Sequence, residues 1–109
     1  MSDDADSAST ERIKDALRRV IDPELGYNIV DLGLIYDVSV RNDGRDAHIT
    51  MTTTTRGCPA TDYLQSGARD AAFTVDGIGS AQVTLTYDPP WTPKLMAPAA
   101  RVHFGIKDE

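Results

Sequence analysis

Only one cysteine, two histidines and one tryptophan occur among the 109 residues, and each shortage closes off a class of function. One cysteine cannot form an intramolecular disulfide, so a secreted disulfide scaffold is excluded. There is no Cys-x-x-Cys, His-Glu-x-x-His, P-loop or Gly-x-Gly-x-x-Gly stretch. One thiolate rarely suffices for a thiolate-rich metal site, so a site complete within one chain is not expected. Lys and Arg form no cluster, which argues against nucleic-acid binding. No apolar run approaches the length of a membrane span, and the first residues lack a basic-then-apolar leader pattern. The expected setting is the cytoplasm, with no membrane partner.

What is present suits one soluble domain. The net charge is −6, from 17 acidic against 11 basic residues, and part of the excess is Asp3, Asp4 and Asp6. Such a balance favours solubility rather than a particular partner. Residues 1–9 are small and acidic and are expected to be a disordered tail ahead of one domain over residues 10–109.

Periodicity predicts the elements of that domain. Thr10 is a plausible N-cap, and Ile13, Ala16, Leu17, Val20 and Ile21 recur at helical spacing until Pro23 disfavours helix at Asp22. Residues 22–33 mix turn formers with Leu25, Ile29, Val30 and Leu32, so an ordered loop packed on the core is expected. A first strand over residues 34–41 alternates, with Leu34, Tyr36, Val38 and Val40 on one face. Asp43-Gly44 signals a hairpin turn. A second strand follows over residues 47–54, with Ala47, Ile49, Met51 and Thr53 facing the core. A helix over residues 59–75 carries Leu64, Ala68, Ala71, Ala72 and Val75 on its buried stripe, and Gly77 closes it. A third strand spans residues 81–87. The prolines of residues 88–93 then force an irregular segment, with a short helix expected near residues 98–103. The predicted fold class is α+β: a two-layer sandwich in αββαβ order, with a three-stranded sheet, two main helices and a short C-terminal helix.

Three groups of residues could carry chemistry. Cys58, between Gly57 and Pro59, is expected at a strand-to-helix join, where unpaired N–H groups, the helix dipole and Arg56 would favour a thiolate. The alternative is a small residue filling a cap. Asp22, Glu24 and Asp31 share the ordered loop; with one thiolate they could bind iron or zinc, or they could simply cap their own backbone. Trp91, on a stiff Pro-rich stretch, could anchor a partner or cover one end of the sheet. His48 and His103 are separated in sequence from Cys58, and a thiol–imidazole pair is not expected.

Several motifs coincide in order and spacing. They are Val20-Ile21-Asp22-Pro23-Glu24-Leu25-Gly26, Asn28-Ile29-Val30-Asp31-Leu32-Gly33-Leu34-Ile35-Tyr36, Met51-Thr52, Gly57-Cys58-Pro59, and Asp88-Pro89-Pro90-Trp91-Thr92-Pro93. Together, over about residues 11–105, they resemble the iron–sulfur cluster assembly domain family, whose branches include Suf-type bacterial maturation factors and phenylacetate-degradation protein D. The Asp-Pro-Pro-Trp ending resembles the Suf-type branch more, because the phenylacetate branch usually carries further cysteines near its C-terminus. One departure is Thr53, where the family often has Leu; a buried hydroxyl there is costly unless bonded.

The resemblance implies a non-enzymatic role in iron–sulfur cluster assembly or transfer to client apoproteins. It maps the family's functional cysteine onto Cys58, its acidic loop residues onto Asp22, Glu24 and Asp31, and its hydroxyl residues onto Thr52 and Thr54. A single cysteine then implies shared, transient ligation of iron or a cluster. A client, another assembly protein or a second copy would complete the site; a homodimer is expected to bring two Cys58 residues together. The alternative is a metal-free adaptor that binds clients or assembly factors, including those of a multicomponent oxygenase, with Trp91 as an anchor.

Overall fold

The structure, a computed structural model, describes residues 2–106, with side chains from Ser7 onward. Met1 of the expected tail and residues 107–109 of the expected domain lie outside the described residues. Helix α1 spans Ser2–Leu17, so it begins well before Thr10 and takes in residues 2–9 of the expected tail. Ala is the best helix former and acidic residues favour a helix N-terminus, which the tail composition satisfies. Ser9 is already buried, so packing as well as propensity supports the extension.

Helix α1 ends earlier than its apolar spacing predicts. Pro23 pushes Asp22 into extended backbone, and a short strand β1 (Ile21–Asp22) pairs antiparallel with β2 (Tyr27–Asn28). Ile21 thereby leaves the core and is exposed, whereas Val20 stays buried. The rest of the loop packs down as expected: Ile29 and Leu32 are completely buried.

The main sheet has the order β3-β4-β5, from β3 (Ile35–Arg41), β4 (Asp46–Met51) and β5 (Ser80–Leu85). Strands β3 and β4 are antiparallel, and β4 and β5 are parallel. Helix α2 (Thr61–Phe73) connects the parallel pair. Both main helices lie on one face of the sheet, α1 against β3 and α2 against β5, which is the expected two-layer α+β arrangement. The core between the layers holds Ile13, Leu17, Ile49, Met51, Leu64, Ala68 and Ala72, all fully or almost fully buried.

Two strands are shorter than predicted. β4 stops at Met51, before Thr52–Thr54, and β5 stops at Leu85, before Thr86 and Tyr87. β3 also carries an irregularity: the register skips a residue between Ile35 and Asp37. An extra residue in one strand re-aims a side chain. Tyr36 accordingly departs from the inward row of Val38 and Val40, and its hydroxyl donates to the Pro89 carbonyl at 2.8 Å. The β3–β4 turn is wider than the simple Asp-Gly signal, with Asn42, Asp43 and Gly44 all at positive φ.

After β5 the chain returns across the sheet's end through a 3-10 turn, Pro93–Leu95, to α3 (Pro98–Phe104), the short helix expected from sequence. Met96 and Ala100 are buried, and the Ala97 N–H donates to the Asp31 carbonyl at 2.8 Å, stitching this segment onto the stretch between β2 and β3. Gly33 marks where the two segments touch. It has φ +80°, and a Cβ there would lie 2.3 Å from the Leu95 carbonyl oxygen. Gly26 also has positive φ (+69°) but faces open space.

This pair separates conformational strain from crowding. Gly26→Ala should cost about 1 kcal/mol from its left-handed backbone alone. Gly33→Ala should cost roughly 2 kcal/mol more, because a backbone carbonyl must move, with a melting-temperature loss on the order of 10 °C relative to Gly26→Ala. Thermal unfolding of the two variants followed by circular dichroism measures the difference; equal losses would show that the segment yields freely.

Candidate functional site

The β1–β2 loop is shaped by its own acid. Asp22 is 2% exposed, and its Oδ1 accepts the N–H of Glu24 at 2.7 Å and of Leu25 at 3.2 Å. The Asp22 carbonyl accepts from Gly26 at 2.7 Å, closing a tight turn. This is the chain-folding role open to an Asp before Pro. Its consequence is to fix the backbone of Glu24, whose side chain then reaches a residue far away in sequence.

That residue is Cys58. Its Sγ–H donates to Glu24 Oε1 at 2.9 Å, and the residue is 6% exposed. Cys58 is not at the helix start: Ala60 is the N-cap of α2, and Pro59 precedes the helix rather than forming its first turn. The Cys58 carbonyl caps the helix instead, accepting the Thr61 N–H at 3.1 Å and the Thr61 hydroxyl at 2.7 Å.

The electrostatics reverse the expected activation. Burial pushes the Cys58 thiol above its ordinary range, the hydrogen bond to Glu24 adds to that, and the charges of Glu24 and Asp22 act in the same direction. A hydrogen bond from the Ala60 N–H opposes the shift without overcoming it. Arg56, the cation expected to help, lies over the Tyr87 ring with its guanidinium carbon 4.8 Å from the centroid. At neutral pH the site is therefore a protonated thiol facing carboxylates. The sign follows for stability: a thiol bound more tightly to its proton in the fold favours the fold below the free-thiol range, and that contribution is lost as pH rises through the folded value.

The other sequence candidates go to different places. Asp31 accepts from the Asn28 amide at 3.0 Å, its N–H donates back to Asn28 Oδ1 at 2.9 Å, and Arg18 Nε is 3.9 Å away. It organises the loop on the side that meets the C-terminal segment. Thr52 is fully buried; its N–H donates to the Leu34 carbonyl at 2.8 Å, and its hydroxyl donates to the Thr53 carbonyl at 3.3 Å. Thr54 is half-buried on the segment leading to Cys58. Trp91 is half-buried on the core, with its indole N–H donating to the Leu32 carbonyl at 2.8 Å, contacts that fit a cover over the sheet's end.

Neither histidine faces the thiol. His48 Nε2 is 2.8 Å from the Thr84 hydroxyl on the outer sheet face, and His103 packs with Tyr27 and Phe104. Thr53, the odd residue in the family comparison, has its hydroxyl bonded: it donates to the Thr55 carbonyl at 2.6 Å and lies 2.9 Å from the Tyr87 hydroxyl. The sequence pattern placed Tyr87 only at the end of the third expected strand, residues 81–87. Its part in shaping the Cys58 segment, holding Thr53 with its hydroxyl and Arg56 with its ring, had no signal beyond its place beside the Pro-rich stretch.

Among the described residues, no group of three or more His, Cys, Asp and Glu side chains is placed to hold a metal ion. One thiol and one carboxylate at hydrogen-bond distance make a partial donor set, which fits one edge of a metal or cluster and not a complete cage. The Cys58–Glu24 contact has a direct test. Glu24→Gln keeps the shape and removes the charge, so Cys58 should alkylate faster with iodoacetamide at neutral pH, with the difference vanishing at high pH where both proteins carry thiolate. Rate–pH curves measure this; superimposed curves would mean that Glu24 does not control the thiol.

Comparison with known proteins identifies the family. The family model described as "Iron-sulfur cluster assembly protein" matches residues 10–85, which include β1, β2 and Cys58. The chain is 39% identical over 102 residues to "Fe-S protein maturation auxiliary factor YitW" of Bacillus subtilis (strain 168), covering 94% of this chain and 99% of that one. It is 36% identical over 87 residues to "Fe-S protein maturation auxiliary factor SufT" of Staphylococcus aureus (strain USA300), covering 80% and 98%. Its fold is similar to the crystal structure of the DUF59 domain from Bacillus anthracis, with TM-score 0.88, 34% identity and coverage of 96% and 99%. With a family model matched over residues 10–85, a matched fold and relatives covered over nearly their full length, the chain belongs to the iron–sulfur cluster assembly protein family.

Proposed function

We propose that this protein is a non-enzymatic maturation factor that presents Cys58 as one ligand to iron or an iron–sulfur cluster in transit to a client apoprotein. The observation that carries this is the buried thiol at 2.9 Å from a carboxylate, in a chain whose full-length relatives are named as iron–sulfur maturation factors. The iron or cluster is cargo, and the remaining ligands come from outside the chain.

The residues suit a thiol held in reserve. Carboxylates disfavour a bare thiolate, but the same charges favour a cation at the sulfur. When iron meets Sγ, the thiol proton has an acceptor in contact, Glu24 Oε1, so the S–H bond breaks as the iron–sulfur bond forms and the proton passes to the carboxylate. Asp22 holds the loop so that Glu24 stays in reach. A neutral thiol between encounters is also less prone to oxidation. This accounts for a functional cysteine whose surroundings do not activate it.

The test is anaerobic loading with ferrous iron and sulfide, alone and with an iron–sulfur apoprotein, read by visible absorbance and iron content. Cys58→Ala should reduce loading and transfer to background. Glu24→Ala should retain the thiol but weaken iron retention by about tenfold or more, as removal of a ligand's hydrogen-bond partner commonly does. Loading and transfer equal to wild type in Cys58→Ala would reject the ligand role in favour of a metal-free adaptor.

A further inference from the structure

The two edges of the main sheet are managed differently. Edge strand β3 carries Asp37 and Arg41 and is broken by the register skip at Tyr36, all features that discourage pairing with another chain. Edge strand β5 has none of them. Its sequence, Ser-Ala-Gln-Val-Thr-Leu, contains no charge, proline, glycine or bulge, and its register with β4 is continuous over every residue. Among the described residues it has a strand neighbour on one side only.

Hydrogen-bond parity says which groups are left over. Ser80 N–H donates to the Arg45 carbonyl and Thr86 N–H to the Met51 carbonyl, so the even-numbered residues of this strand bond towards β4. The N–H and C=O groups of Ala81, Val83 and Leu85 therefore point to the free edge. Their side chains are half-buried and face the α2 layer, while Gln82 and Thr84 lie exposed on the outer face. Beside this edge runs an open groove of about 360 Å³, walled by Asp62, Gln65, Ser66 and Arg69 of α2.

We propose that the β5 edge is a self-association surface, on which β5 of a second copy pairs antiparallel about a two-fold axis at Val83. In that register Val83 faces Val83, and Ala81 faces Leu85 of the other copy, so each outward N–H and C=O meets its complement. Charge on the neighbouring helix matches the same symmetry. Asp62 and Arg69 lie on the groove side of α2, two turns apart, and neither forms an ion pair within the chain among the described residues. A two-fold axis near the middle of the groove places Asp62 of each copy against Arg69 of the other. A client segment would have no reason to carry that self-complementary pattern, which is why the occupant is a second copy.

The pairing also decides where the thiols go. The Cys58 segment sits at the C-terminal end of β5, since Thr53 and Arg56 contact Tyr87. Antiparallel β5 strands point their C-terminal ends in opposite directions, so the two Cys58 residues lie at opposite ends of the dimer rather than side by side. Each copy then meets its own client. The dimer does not depend on the iron–sulfur reading, and its test requires no metal.

Sedimentation of the full chain as a function of concentration should show a reversible monomer–dimer equilibrium. Asp62→Arg and Arg69→Asp should each weaken dimerisation by about tenfold, because two symmetric attractions become repulsions, and the double reversal should restore it. Val83→Pro removes only an outward N–H, so it should abolish the dimer while β4 pairing survives. The charge reversals are exposed and keep the test open should the proline variant misfold. A monomer up to about 1 mM, or a dimer unmoved by the single charge reversals, would overturn the proposal.

Discussion

One sulfur-to-carboxylate hydrogen bond joins the two halves of the site. Glu24 belongs to the loop after α1 and Cys58 to the turn before α2, and the 2.9 Å contact between them is what turns two separate segments into one locus. Everything near it serves that contact. Asp22 gives up its carboxylate to hold the Glu24 backbone, Pro23 ends the helix early enough for the loop to form, and the Cys58 carbonyl anchors Thr61 so that the sulfur is fixed relative to α2. The loop's far side is pinned in turn by Asp31 and by the close approach of Gly33 to Leu95.

The electrostatic character of the site follows from this geometry. A cysteine near a helix start is ordinarily a candidate thiolate, but the dipole acts within one turn and Cys58 lies outside α2. Burial and two carboxylates prevail over one backbone N–H. The result is a thiol whose surroundings favour its protonated form, which suits the proposed ligand role more than that of a nucleophile. Among the described residues the donors at this point are too few to enclose a metal, which is why the proposed role calls for ligands from outside the chain.

Much of the fold was legible in the residue pattern. The αββαβ order, the buried stripes of α1 and α2, the ordered loop and the short C-terminal helix all follow from periodicity and proline placement, because core burial imposes period on any amphipathic element. The errors lie at ends and joins. α1 begins at Ser2 because an acidic, alanine-containing stretch suits a helix start even though its composition resembles a disordered tail. β4 and β5 give way to irregular backbone one residue after their last ladder bonds, where the Thr53 and Tyr87 hydroxyls meet instead. Tyr36 left its row because a register skip cannot be seen in an alternating pattern.

By itself the sequence determined the layers, the core and the identity of Cys58 as the residue to examine, since these depend on side-chain type and local spacing. Only the tertiary structure decided that Glu24, and not Asp31, meets the thiol, that Trp91 is tied to Leu32, and that the thiol is held neutral. Those outcomes depend on which loops touch and how much water they exclude. Such contacts join residues 34 and 59 positions apart, beyond the reach of any local pattern.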